Sequence, residues 1–170
     1  MGFFDRFRRP AFSPDGTIPV PVTVYAAATG AVVQMEEIPD PAFATGALGY
    51  AVGIAPTEGI VCSPIDGIVT MLSSSRHAIG IRSVNGAEVL IHIGVDTVKM
   101  QGDGFTAKVL EGTQVSRGQE ILTVDLDKVH AAGYPDVIIT AITNSDEFRT
   151  VELLSTTSVK AGDDLVTVQR

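Results

Sequence analysis

From about residue 20 onward, apolar positions recur at the spacing of strands: short runs rich in Val, Ile and Thr, broken by Gly, Pro, Asp and Asn. No stretch sustains the three-and-four spacing of a long amphipathic helix. The runs predict strands over 22–25, 31–35, 68–72, 78–83, 87–93, 121–124, 137–142 and 165–168. A helical turn is predicted over 127–132 and a short surface helix over 146–154.

Turn chemistry separates these runs. Pro64-Ile65-Asp66-Gly67 reads as one turn and Val84-Asn85-Gly86 as another, Asn-Gly being the dipeptide that best tolerates a tight hairpin. In a hairpin pivoting on Asn85-Gly86, residues equally distant from the turn face each other. His77 and His92 then fall near the same level on adjacent strands.

Two internal echoes point to duplication. Val115-Ser116-Arg117-Gly118-Gln119-Glu120-Ile121-Leu122-Thr123-Val124 returns as Val159-Lys160-Ala161-Gly162-Asp163-Asp164-Leu165-Val166-Thr167-Val168. A fainter pair joins Gly30-Ala31-Val32 to Gly67-Ile68-Val69. Each unit is a glycine turn feeding a strand with one apolar side, which is buried only by pairing with another unit. The expectation is an all-β fold: an antiparallel β-sandwich or barrel-sandwich built from duplicated motifs, with short helical turns.

The chain's 170 residues, 45% apolar and 19% charged, suit one substantial core rather than two enzyme domains. No apolar run reaches the length of a membrane span. One cysteine, Cys62, makes no internal disulfide and reads as a small buried filler; with no secretory signal evident at the N-terminus, the cytoplasm is the expected compartment. A net charge of −8 argues against nucleic acid and toward partners with basic or apolar faces. Residues 1–19 differ from the rest. Within residues 1–9, Arg6, Arg8 and Arg9 oppose a single Asp5, and Phe3, Phe4 and Phe7 would share one helical face, a pattern suited to weak contact with an anionic lipid surface. The competing reading is a short flexible segment that frays. The domain proper is expected over 20–170.

The chemistry is expected at Val89-Leu90-Ile91-His92-Ile93-Gly94-Val95-Asp96-Thr97-Val98. A neutral imidazole is a good nitrogen nucleophile, and a strand-borne histidine with a glycine two residues on invites a phosphoryl-acceptor reading. One ring nitrogen must be bare and the other pinned, and the carbonyl of Gly94 is the candidate pin. The N–H of His77 would then stabilise charge on the phosphoryl oxygens. Against this stands an ordinary packed core histidine. Asp96 either tunes the site or caps the following turn, and Ser75 either bonds within the site or faces solvent. His130 reads as a surface residue. Gly102-Asp103-Gly104 reads as a backbone turn, too short for a phosphate-cradling loop.

His92-Ile93-Gly94-Val95-Asp96-Thr97-Val98 followed by Gly102-Asp103-Gly104-Phe105 resembles the active-site signature of the glucose-type IIA components of the bacterial phosphoenolpyruvate:sugar phosphotransferase system. Ser63-Pro64-Ile65-Asp66-Gly67, His77-Ala78, Ile38-Pro39-Asp40-Pro41-Ala42-Phe43 and Val159-Lys160-Ala161-Gly162 extend the resemblance over about residues 20–170. Met1-Gly2-Phe3-Phe4-Asp5 is similar to the amphipathic start of free-standing members. The resemblance implies a phosphoryl carrier with phosphate on His92 and His77 as accessory histidine. Its donor would be a histidine phosphocarrier protein and its acceptor the IIB domain of a sugar permease. An apolar disc would dock both, with Phe43, Leu48, Ile79 and Val98 in matching positions. A further implication is regulatory binding of transporters or metabolic enzymes by the unphosphorylated form, in some relatives with zinc shared across the interface. No cofactor or metal of the chain's own is called for.

Three departures from the family pattern bear on partner choice. Gly49-Tyr50-Ala51 stands where Gly-Asp-Gly is common, Arg76 precedes the accessory histidine where Asn or a small residue is usual, and Ser73 replaces an expected phenylalanine. Two other classes compete: a zinc hydrolase using His77, His92 and Asp96, and a purely regulatory module. The first lacks the His-x-His pair and the upstream His-x-x-x-Asp such enzymes require. The second rests on Tyr50 and Arg76 alone.

Overall fold

A computed structural model describes residues 21–170; the N-terminal segment 1–19, with its amphipathic reading, lies outside them. The described strands are β1 (Val22–Tyr25), β2 (Gly30–Val33), β3 (Tyr50–Pro56), β4 (Ile60–Cys62), β5 (Gly67–Leu72), β6 (Ala78–Ser83) and β7 (Glu88–Ile93). After them come β8 (Phe105–Ala107), β9 (Gln114–Val115), β10 (Glu120–Val124), β11 (Ile138–Ile142), β12 (Thr150–Leu153), β13 (Ser158–Val159) and β14 (Asp164–Gln169). Two short helices, α1 (Pro41–Ala44) and α2 (Leu126–Ala131), complete the set with a few 3-10 turns. All pairings are antiparallel. The fold is an antiparallel β-sandwich.

Eight strands form one sheet in the order β13-β2-β3-β11-β7-β6-β5-β9, and two three-stranded sheets run β1-β14-β12 and β4-β10-β8. The principal core joins inward residues of the large sheet, such as Ile54, Ile79, Ile81, Ile91, Ile93 and Ile138, to Val24, Val61, Leu122, Val166 and Val168 of the small ones. Each fully buried aliphatic side chain there contributes roughly 1.5–3 kcal/mol of transfer free energy.

The internal echo is visible as pseudo-symmetry. β9 and β13 sit at opposite ends of the large sheet, and β10 and β14 each occupy the middle of a small one. Equivalent turns make equivalent bonds: Gly118 N–H donates to the Ser63 carbonyl at 2.8 Å, as Gly162 N–H donates to Ala26 at 2.9 Å. Ser63 N–H returns a bond to the Gln119 carbonyl and Ala26 N–H to that of Asp163, both at 2.8 Å.

Three local expectations are corrected. The helix expected over 146–154 is a 3-10 turn, Ser145–Glu147, followed by β12. Exposure alternates residue by residue along Thr150-Val151-Glu152-Leu153, because this segment is an edge strand on β14 with one side packed. β3 went unpredicted because it carries Gly53 and Pro56 and is buried on both faces, so no polar alternation marks it. Gly53 is a packing requirement: a Cβ there would come within 2.8 Å of Val137 Cγ2 and 3.1 Å of Val33 Cβ. The Asn85-Gly86 hairpin has three residues between Ser83 and Ala87, not two, with Gly86 at φ +85°. That shifts the register by one, so His92 faces Ala78.

A second, smaller cluster covers the other face of the large sheet. Ile38, Phe43, Ala51, Val95, Val137, Ile139 and Ala141 form it, with Val33, Met35 and Leu90 at its margin. Residues 35–44 lie over this face, anchored where Asp40 accepts the N–H of Ala42 at 3.0 Å and Pro41 opens α1.

Candidate active site

His92 belongs to that second face. Along β7, Val89, Ile91 and Ile93 point into the main core, while Leu90 and His92 point the other way. Across the sheet His92 lies in register with Ala78 and Ile139, and Ile139 with Gly53. Ala78 and Gly53 therefore share the face of the sheet that carries the imidazole, with Ala51 and Ala141 buried in the cluster beside them.

The ring is pinned as the sequence suggests. His92 Nδ1 lies 2.8 Å from the Gly94 carbonyl, a distance at which the ring N–H donates to the oxygen. Gly94 has φ +75°, and a Cβ there would fall 2.4 Å from Thr97 Cγ2 and 2.8 Å from the Pro135 carbonyl. Glycine alone allows the chain to double back under its own histidine. Thr97 Oγ1 bonds the Ile93 carbonyl, and Gly94 N–H donates to Val137 at 2.8 Å. Nε2 has no hydrogen-bond partner among the described residues.

His77 reaches His92 from a hairpin loop rather than from a strand. Ser73 and Ala78 close the loop, with Ser73 N–H donating to the Ala78 carbonyl at 3.0 Å, and Arg76 takes a left-handed conformation at φ +57°. Released from strand alternation, the His77 ring meets His92 edge-on, with centroids 5.2 Å apart and planes at 86°. Its backbone carbonyl accepts Ile93 N–H at 2.8 Å, which fixes the loop to β7.

Both imidazoles are held below the ordinary histidine pKa. For His92 burial is the main cause, partly opposed by the Gly94 bond and by the carboxylates of Asp40 and Asp96. For His77 burial again leads, followed by repulsion from His92. Neutral rings with a bare nitrogen are the form in which imidazole acts as a nucleophile.

The other expected residues divide. Phe43 is 2% exposed and stacks against His92 with centroids 5.3 Å apart, so it walls the site instead of presenting docking surface. Ile79 is also corrected: on β6 it faces the main core, fully buried with Ile81 and Ile91, beyond reach of a docked protein. Leu48, between α1 and β3, and Val98, just after the His92 loop, are 40% and 49% exposed. Asp96 makes no capping bond with its side chain; its influence on His92 is electrostatic. Ser75 makes no side-chain hydrogen bond among the described residues, whereas Ser73 Oγ lies 3.2 Å from His77 Nδ1. The sequence marked Ser73 only as a departure from the family pattern and Asp40 only as part of a matching segment, with no role at the histidines for either. For Asp40 the capping pattern Asp-Pro was legible, but its approach to His92 was not.

The remaining motifs settle as structural elements. His130 pairs with Asp136 at 2.7 Å on the surface. Asp103 pairs with Lys128 at 2.7 Å, inside a turn whose glycines have φ +84° and +89°. Cys62 is buried, which pushes its thiol pKa up. Among the described residues no three His, Cys, Asp or Glu side chains converge, so His77, His92 and Asp96 do not assemble the ligand set a zinc hydrolase needs. No described helix is long and apolar enough to cross a membrane.

The sequence profile described as phosphoenolpyruvate-dependent sugar phosphotransferase system, EIIA 1, matches residues 22–148. The chain is 41% identical over 147 residues to the PTS system glucose-specific EIIA component of Bacillus anthracis, covering 86% of this chain and 89% of that protein. It is 41% identical over 141 residues to the β-glucoside-specific EIIBCA component of Halalkalibacterium halodurans, covering 83% of this chain and 22% of that longer protein. The solved glucose permease IIA from Mycoplasma capricolum superposes with a TM-score of 0.79 at 29% identity, covering 87% of this chain and 96% of that one. The chain thus belongs to the EIIA family of the sugar phosphotransferase system, phosphoryl carriers that take phosphate from a histidine phosphocarrier protein and pass it to a IIB domain during sugar uptake.

Proposed function

We propose that His92 is the residue of this chain that carries the phosphoryl group, on Nε2, and that His77 steadies the group as it arrives and leaves. The observation that carries this reading is the Nδ1 to Gly94 carbonyl bond at 2.8 Å in a ring kept neutral by burial. It leaves one nucleophilic nitrogen with no partner, beside a second imidazole. In the transfer, Nε2 bonds to phosphorus as the nitrogen–phosphorus bond of the donor's phosphohistidine breaks. A PO₃⁻ unit moves and no proton has to leave either ring. Positive charge that grows on the His92 ring is borne by the Gly94 carbonyl and by Asp40 and Asp96, while an N–H of His77 meets the phosphoryl oxygens.

Leu48 and Val98 offer exposed apolar contacts for the two partners, a histidine phosphocarrier protein and the IIB domain of a permease. The acidic net charge of −8 favours a basic donor. The expected cytoplasmic setting goes with these partners. Incubation with phosphoenolpyruvate and the general phosphotransfer proteins tests the reading. A heat- and acid-labile, base-stable adduct mapping to His92 supports it; no adduct, or one on another residue, overturns it.

A further inference from the structure

Ser73 holds a defined place beside His77. Its backbone N–H donates to the Ala78 carbonyl at 3.0 Å, and its Oγ accepts the N–H of Ala78 at 3.1 Å. The same Oγ lies 3.2 Å from His77 Nδ1. The Ala78 N–H occupies one lone pair of the oxygen, and the hydroxyl proton is free to be donated to Nδ1.

We propose that Ser73 donates its hydroxyl proton to His77 Nδ1, keeping the ring proton on Nε2 and so presetting His77 as a hydrogen-bond donor toward the phosphoryl group on His92. The opposite tautomer would leave the Ser73 hydroxyl proton without a partner among the described residues. It would also turn an Nε2 lone pair toward the negatively charged phosphoryl oxygens. In this role Ser73 acts through His77 and is a positioning residue; no covalent bond changes at its hydroxyl. The assignment rests on the reading of His92 as acceptor and His77 as accessory donor. It also separates Ser73 from Ser75, which lies two residues from His77 yet makes no side-chain bond among the described residues.

Long-range proton–nitrogen correlation spectra of the ¹⁵N-labelled full chain, at a pH where both rings are neutral, test this directly. Wild type is expected to show His77 protonated on Nε2 and bare on Nδ1. Ser73→Ala is expected to give a mixture of tautomers, Ser73→Thr to restore the wild-type pattern, and Ser75→Ala to leave it unchanged. In transfer assays Ser73→Ala is expected to take up phosphate but to deliver it to a IIB domain about tenfold more slowly, the usual cost of losing an orienting partner. His77 protonated on Nδ1 in the wild type overturns the proposal without any variant. So does an unchanged tautomer, or unchanged delivery, in Ser73→Ala. If wild-type His92 takes up no phosphate, the underlying reading fails instead, and the tautomer spectra still decide the Ser73 assignment.

Discussion

Phe43 stands against His92 with ring centroids 5.3 Å apart and planes inclined at 54°. Phe43 is the buried residue of α1, so one flank of the imidazole is sealed by a side chain that arrives from a different part of the chain. That packing is part of the burial that holds the His92 pKa down. Phe43→Ala should raise the His92 pKa toward its ordinary value, as seen by NMR titration, and should cost about 3 kcal/mol of stability in urea unfolding. An unchanged titration would show that the wall is not what dries the ring.

His92→Ala should abolish phosphate uptake altogether. His77→Gln should still take up phosphate but deliver it about a hundredfold more slowly, the scale seen when one donor to a reacting group is displaced. Stopped-flow transfer to a IIB domain separates the two steps, and normal delivery by the His77 variant would remove its assigned role.

Gly94→Ala meets two obstacles at once, a left-handed backbone and a Cβ 2.4 Å from Thr97 Cγ2. A loss of roughly 2 kcal/mol in stability is expected. Because relief requires the Gly94 carbonyl to move, the Nδ1 bond should weaken and phosphate uptake should slow. A variant with normal uptake and normal stability would contradict the pinning role.

Thr140 places a hydroxyl in the interior of β11, where Oγ1 has no partner among the described residues. Its neighbours across the sheet are Val52 and Ile91. Thr140→Val keeps the shape and removes the desolvated polar atom, so it should stabilise the domain by about 1 kcal/mol. Thermal unfolding checks this; a lower melting temperature would mean the hydroxyl is bonded.

Acidification supplies a signed test. The folded pKa values of His77 and His92 lie below the ordinary 6.5. Between 6.5 and those lower values the unfolded chain binds protons that the folded chain does not. The unfolding free energy should therefore fall as pH drops below 6.5 and flatten once both folded rings are protonated. Urea midpoints measured across this range should show the decline, and the His77→Gln/His92→Gln pair of changes should make it shallower. Asp96→Asn removes a charge that favours the imidazolium, so the His92 midpoint in an NMR titration should move lower still.

How much of this was legible in the sequence follows the distance over which each feature is encoded. His92 and Gly94 lie two residues apart, and their relationship needs only a strand end and a turn, so it could be written from the residues. The alternation of Val89, Ile91 and Ile93 against Leu90 and His92 was likewise local. Ile79 shows where the resemblance misled: matching its position on the chain does not fix which face of β6 it occupies, and the register assigns it to the core. The contact of Phe43 with His92, and the charge that Asp40 brings near it, depend on a segment some fifty residues upstream folding over the sheet. Ser73 was noted only as a replaced phenylalanine, and its contact with His77 was missed because it lies in a hairpin loop whose length no residue pattern specified. β12 was mistaken for a helix because a half-exposed edge strand of four residues carries too few apolar positions to declare its period.

The large sheet finishes at both ends in strands of only two residues, β9 and β13. Its rims therefore present almost no free run of peptide groups on which another polypeptide could zip up by backbone pairing. Association through this sheet is left to side chains rather than to backbone pairing. Along these two rims a neighbouring chain finds little backbone to extend into a shared sheet.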